Sequence, residues 1–186
     1  MKFIEQLKER AKQNKKTIVL PETSDMRTIE AAGKVLAEGI ANVILVGDKK
    51  DIISRAGDID LSGASFVNPE KYEKFDEYVD VFVEMRRKKG MTEARARELL
   101  LTNPLYFGCM MVKQDDADGM VAGAINASAD VLRAALQTLK TAPGTRIVSA
   151  FFLVVVPNCE YGSNGAFVFS DAGLNQSPSA SELADI

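Results

Sequence analysis

The sequence predicts an α/β protein: a mainly parallel sheet with helices on both faces, followed by the opening strands of a second α/β domain. Three observations carry this reading. Short β-branched apolar runs alternate with stretches of helical spacing over residues 17–67, in the order β-α-β-α-β. A later apolar run, 120–124, breaks into a small polar loop and restarts as a helix near Ser128. Apolar residues make up 46% of the chain and charged residues 26%, which is the balance of a folded globular protein rather than a disordered one.

Residues 1–16 form an amphipathic stretch in which Phe3, Ile4, Leu7 and Ala11 share a face opposite lysines. Glu5 and Glu9 and the lack of a long apolar core argue against a signal or transit peptide, so a surface helix is expected. Residues 17–20 are a strand ended by Pro21. A helix over 25–38 follows through Met26, Ile29, Ala32, Val35 and Leu36, and Gly39 stops it. Residues 42–46 are the next strand, 48–56 a short helix and 64–67 a third strand. Residues 69–89 read as one long helix, with Tyr72, Phe75, Val79, Phe82 and Val83 on one side and Gly90 after it. Thr92 and Glu93 restart a helix that Asn103-Pro104 breaks, and 106–113 is a buried helix in which the Met110-Met111 pair fills core space.

The strand at Met120 and Val121 is expected at the centre of the first domain, covered by helices on both sides. A helix from Ser128 to Lys140 leads to Thr141-Ala142-Pro143-Gly144, the best linker in the chain. Residues 146–156 and 165–170 are strands. The expected organisation is a first α/β domain over 1–143 and the start of a second over 144–186, the latter too short to fold alone without staples. At the end, Ser179 with Glu182 makes a capping-box signature for one more helix.

Several function classes are excluded at this level. A net charge of −3 argues against a broad basic footprint for nucleic acid. The apolar run at 150–156 is far too short to span a membrane. There is no His, which removes Ser-His and Cys-His nucleophilic dyads and leaves Cys109 and Cys159 without a partner for zinc. The two cysteines read as small buried hydrophobes in a reducing compartment, and the protein as cytoplasmic.

The candidate chemistry is anion binding at the carboxyl edge of the sheet. Gly123 to Ser128 is a glycine-containing loop before a helix start, where Asn126 and Ser128 can bond to an anion and Arg133 lies in the first two turns. The plainer alternative is an ordinary βα connection with Ser128 as N-cap and Arg133 on the surface. Arg27 follows the first strand by a short turn, against the helix dipole and with no evident local gain. Arg86 opens the run Arg86-Arg87-Lys88-Lys89, which dipole complementarity at a helix end also explains.

The stretch Gly123-Ala124 through Ser128-Ala129-Asp130-Val131-Leu132-Arg133-Ala134-Ala135-Leu136, then Lys140-Thr141-Ala142-Pro143-Gly144, resembles the phosphate acetyltransferase family. So do Val156-Pro157-Asn158-Cys159-Glu160-Tyr161-Gly162, Leu20-Pro21-Glu22-Thr23 with Arg27, the strand Val43-Ile44-Leu45-Val46-Gly47, and the basic run ending at Gly90. The resemblance covers essentially the whole chain. One departure is Val131-Leu132-Arg133-Ala134, where many members have Thr-Leu-Arg-Pro; alanine keeps the helix attainable.

The resemblance implies a fold like that of the isocitrate/isopropylmalate dehydrogenases. It implies transfer of an acetyl group between CoA and inorganic phosphate, with CoA or acetyl-CoA as substrate and no permanently bound cofactor or metal. By the resemblance Arg86 and Arg133 hold CoA phosphate, and Arg27, Asn126 and Ser128 are further substrate-binding candidates. Family members are much longer, so the chain reads as an N-terminal portion, inactive by itself. The catalytic residues are expected beyond Ile186, none within this chain, and the complete protein is expected to be a homodimer. A phosphate butyryltransferase, another acyl-phosphate transferase, and a non-catalytic acetyl-CoA-sensing module of a malic-enzyme fusion remain as alternatives.

Overall fold

The computed structural model describes residues 2–186, so Met1 of the expected first helix lies outside the described residues. The chain divides into two units: Glu9–Lys140, and Thr141–Ile186 grouped with residues up to Lys8. Helix α1 spans Lys2–Gln13.

In the larger unit, strands β1 (Lys16–Leu20), β2 (Ala41–Val46), β3 (Ser65–Val67) and β4 (Gly119–Met120) form one sheet in the order β3-β2-β1-β4. Every pairing is parallel, with Leu20 opposite Leu45, Val46 opposite Val67 and Val19 opposite Met120. Helices α2 (Met26–Glu38) and α3 (Lys49–Ala56) lie between the first three strands in the chain. Between β3 and β4 come α4 (Phe75–Arg86), α5 (Glu93–Thr102) and α6 (Pro104–Lys113), and α7 (Ser128–Thr138) follows β4.

Because side chains alternate across a strand, the sheet builds two cores. Val19, Ile44 and Val46 join Tyr78, Phe82, Leu100, Phe107, Met110 and Ala134 from α4 to α7. Leu20, Val43 and Leu45 face the other way, onto Ile29 and Ala32 of α2 and Ile52 and Ala56 of α3. Helices therefore cover both faces, as the sequence predicts. Gly108 sets the approach of α6: a Cβ there would lie 2.8 Å from Met120 Sδ and 3.3 Å from Val19 Cγ1.

Capping follows local chemistry closely. Asp25 and Asp48 accept from the first-turn amides of α2 and α3, and Gly39 closes α2 at φ +67°. Asn103 caps α6 and Pro104 sits in its first turn, so the Asn-Pro pair that ends α5 also starts α6, two residues before the expected position. The long helix expected over 69–89 is three pieces: 3-10 turns at Pro69–Lys71 and Arg87–Lys89 flank α4. Asn68 caps the first turn, and Tyr72 at ψ 124° breaks the path into α4.

Two expectations about β4 are corrected. It is an edge of the four-stranded sheet rather than its centre, and it spans Gly119–Met120, starting one residue before the expected Met120. Val121 still donates to Val19 O at 3.0 Å, but Gly123 at φ +106° turns the chain away. Met120 and Ala122 pack on the α4–α7 core, whereas Val121 points the other way and is 61% exposed.

In the smaller unit, β5 (Phe151–Val155) and β6 (Ala166–Ser170) form an antiparallel hairpin, with Phe152 opposite Phe169. The strand expected over 146–156 is thus shorter at its start. Helix α8 (Ala180–Asp185) opens on the capping box between Ser179 and Glu182. Cys109 is buried, Cys159 is half-buried, and both thiols are free.

Candidate functional site

The turn after β1 is held on several sides. Pro21, Glu22 and Thr23 are buried; the Thr23 hydroxyl donates to Val46 O at 2.6 Å, and Arg55 Nη1 donates to Thr23 O at 2.7 Å. The amide of Asp25 donates to Glu22 O at 3.1 Å. These bonds aim the Glu22 side chain across the carboxyl edge toward the loop that follows β4.

That loop presents four consecutive amides to Glu22. Gly123 N and Ala124 N each donate to Oε2 at 2.6 Å, and Ile125 N and Asn126 N donate to Oε1 at 3.2 and 2.9 Å. Asn126 Nδ2 adds a fifth bond to Oε1 at 2.7 Å. Successive N–H groups of this kind make an anion-binding concavity, and here its anion is a carboxylate of the same chain. Glu22 is 2% exposed. Burial pushes its carboxyl pKa up, but the bonds from Asn126, Ala124 and Ile125 outweigh burial and hold it below the usual glutamate value.

The expected role of Asn126 therefore changes: its amide and side-chain donors are committed to Glu22 rather than open to a ligand. Glu22 received no role from sequence reasoning. The available signal was weak, namely a glutamate directly after a strand-ending proline; its partners lie more than a hundred residues away.

Arg27 reaches the same loop. Its Nε and Nη2 grip both oxygens of Asp25 at 3.0 and 2.7 Å, and Nη2 also donates to Ala124 O. The local gain that the sequence hid is this fork on the N-cap aspartate, which offsets a cation in a first helical turn. Arg27 remains largely exposed, its side chain at 70%. With Leu20, Glu22, Thr28, Ala31, Val121, Ala122 and Ala124 it lines a cleft of ≈ 190 Å³.

Ser128 does not cap α7. Ala127 occupies the N-cap position with extended geometry and makes no side-chain cap bond, while Ser128 is the exposed first helical residue. Its hydroxyl does not accept from a first-turn amide as an N-cap side chain does, because the chain turns helical one residue earlier than a Ser128 cap requires. Arg133 is exposed and pairs with Asp130 at 2.5 Å.

Arg86 ends α4, and its Nε is buried with no hydrogen-bond partner among the described residues. α4 touches α7, and both flank Tyr106 of α6. The Tyr106 hydroxyl is 3.2 Å from Gln137 Oε1, to which it donates. Burial raises its pKa, while the positive charges of Arg133 and Arg86 pull the other way. The structure thus places Arg27 against the 123–126 loop, and Arg86 at the end of α4 and Arg133 on α7, the two helices that flank Tyr106. Among the described residues no group of His, Cys, Asp or Glu is placed to hold a metal.

The sequence pattern of the phosphate acetyl/butaryl transferase family matches residues 2–186. The chain belongs to this family. A phosphate acetyltransferase of Acetivibrio thermocellus is 54% identical over 186 residues, covering all of this chain and 56% of that protein. One of Thermoanaerobacterium thermosaccharolyticum is 52% identical with the same coverage. Among solved structures, the EutD phosphotransacetylase of Staphylococcus aureus aligns at TM-score 0.86 and 34% identity, over 99% of this chain and 54% of that one. A phosphotransacetylase of Streptococcus pyogenes aligns at 0.87 and 35%. The chain therefore spans about half the length of these family members.

Proposed function

We propose that this chain carries the CoA-phosphate subsite of a phosphate acetyltransferase, which exchanges an acetyl group between CoA and inorganic phosphate. In the forward direction a phosphate oxygen attacks the thioester carbonyl, the C–S bond breaks, and CoA leaves as its thiolate while acetyl phosphate forms. The observation that carries the reading is the match of the whole chain, at 54% identity, to an enzyme of that name; Arg86 on α4 and Arg133 on α7, two helices in contact, supply the guanidinium groups. Two guanidinium groups suit a polyanion, because each can give paired, charge-assisted bonds to phosphate oxygens.

In this reading Arg27 and Ser128 face the same ligand from the carboxyl edge, and Asn126 contributes through the loop it helps hold. The base that assists thiolate chemistry and the group that stabilises the carbonyl oxyanion are assigned to no residue of this chain. CoA is a substrate rather than a resident cofactor. We also propose a domain boundary near Pro143, a cytoplasmic location, and a homodimer for the complete protein. No helix among the described residues is long and apolar enough to cross a membrane.

Calorimetric titration with CoA and with CoA lacking its 3′-phosphate tests the subsite. The unchanged protein should prefer CoA, and Arg86→Ala should lose that preference. An Arg86→Ala protein that discriminates as well as its parent removes Arg86 from the subsite. Comparing acetyl-CoA with butyryl-CoA in the full-length protein sets the acyl preference.

A further inference from the structure

The loop from Gly123 to Asn126 joins β4 to α7, and nothing local fixes where α7 begins. Ala127 brings no capping side chain, and the four amides before it share one acceptor, Glu22. Residue 124 is clamped from both sides: its N–H is held by Glu22, and its C=O accepts from Arg27. Arg133 stands five residues beyond Ser128, about one and a half turns from the start of α7. A helix start that shifted or frayed would move the Arg133 guanidinium with it.

We infer that Glu22 is a positioning residue for ligand binding: its carboxylate is a resident anion that fills the backbone concavity of residues 123–126 and thereby sets α7, and Arg133 on it, for the incoming phosphate. The inference rests on the CoA reading above. It has a second consequence. Free inorganic phosphate is kept out of the concavity, so the ligand's charge is met by side-chain guanidinium groups and not by this loop's backbone.

Truncating Glu22 to Ala removes a CH2–COO⁻ group, which is the size and charge of acetate. In Glu22→Ala the concavity should therefore accept acetate from solution. Thermal melting and CoA dissociation constants are measured for the unchanged protein, Glu22→Ala and Glu22→Gln, in sodium acetate and in sodium chloride of equal ionic strength. The unchanged protein should bind CoA and show no acetate-specific response. Glu22→Ala should bind CoA about tenfold more weakly, the scale of one charge-assisted contact misplaced. Acetate, and not chloride, should then raise its melting temperature and recover most of the CoA affinity. Glu22→Gln fills the space but turns an NH2 toward the amides, so its CoA affinity should fall without acetate rescue.

If acetate restores melting but not CoA affinity, Glu22 is only structural and the positioning role is overturned. Loss of both responses, or CoA binding by Glu22→Ala equal to the parent's, overturns it as well. Should Glu22→Ala fail to fold, a folded Glu22→Gln with parental CoA affinity overturns it, and a weakened one supports it. Failure of the unchanged protein to bind CoA sinks the CoA reading and the positioning role with it, while the acetate-dependent melt still reports separately whether the concavity exists.

Discussion

β2 and β5 are written in the same residue types and end in opposite surroundings. Val43, Ile44, Leu45 and Val46 of β2 are between 0% and 7% exposed, whereas Phe151 and Phe152 of β5 are 67% and 63% exposed. The difference lies in the connections. Parallel neighbours need a crossover between them, and each crossover in the larger unit brings helices that cover one face of the sheet. The antiparallel hairpin of β5 and β6 is joined by residues 156–165, which bring no helix over it, and in this chain, about half the length of its relatives, its aromatic residues stand open. Apolar composition decides that a segment is a strand; topology decides whether it is buried.

The largest expected effect tests that statement directly. Phe82 is fully buried between α4 and α6, its ring 5.8 Å from that of Tyr106. Phe82→Ala should cost about 3–5 kcal/mol in urea unfolding, because it removes transfer free energy and leaves a cavity. Phe152→Ser on the hairpin should change stability by less than about 0.5 kcal/mol, as surface substitutions do. It should also reduce hydrophobic-dye binding. Comparable losses at the two positions would break the comparison.

Next in size is a polar contrast within the same two regions. Asp116, just ahead of β4, accepts from Tyr72 Oη at 3.1 Å and from Tyr78 Oη and Lys74 Nζ, tying α4 and the turn before it to the sheet. Burial pushes its carboxyl pKa up, yet Lys74 and the two tyrosines outweigh burial and bring it below the ordinary aspartate value. Asp116→Asn should cost about 2–3 kcal/mol at neutral pH, the scale of lost charge-assisted bonds to partly buried donors. A depressed folded-state pKa stabilises above the unfolded value and loses that contribution as pH falls through the folded value. The penalty of Asp116→Asn should accordingly be full above about pH 4 and shrink below it. Asp171 of the hairpin unit accepts from Asn175 N at 2.7 Å and Leu174 N at 3.2 Å, with its pKa likewise lowered, but no cation is among its donors. Asp171→Asn should have the smaller effect, measured in the same urea series.

These contrasts also show what was legible in the sequence. Gly39 and the Ser179–Glu182 box were read because a cap and its partner lie within four residues, whereas Asp25 and Asp48 were placed inside their helices and prove to be the caps. The parallel α/β class followed from the alternation of periods. Glu22 and Asp116 were not readable, since their partners arrive from 101–104 and 38–44 residues away in the chain, and only the finished sheet brings them together. Arg27 was partly legible: its place at the carboxyl edge was expected, but its fork on Asp25, two residues back, is not among the spacings that pair side chains along a helix. The edge position of β4 was hidden for a related reason. A two-residue strand carries too little pattern to show how many neighbours it has.

The smallest stability effect should come from Arg133, and it sharpens the comparison by separating two kinds of exposure. Arg133 and Asp130 form an ion pair with side chains 58% and 47% exposed. Such surface pairs along a helix contribute about 0.2–0.5 kcal/mol. Alanine recovers part of that through its better helix propensity. Arg133→Ala should therefore unfold within experimental error of its parent, in contrast to Phe82→Ala. CoA affinity should nevertheless fall about tenfold, because the lost guanidinium makes no contact that the folded chain depends on. The affinity difference should also narrow as salt is raised, as screening weakens an exposed charge. Exposure of Phe152 would then mark a face that the hairpin's own connection leaves uncovered, and exposure of Arg133 a charge held out for a ligand. An Arg133→Ala protein that loses stability but keeps its CoA affinity would reverse that assignment and make the ion pair, rather than the ligand, the reason the arginine is there.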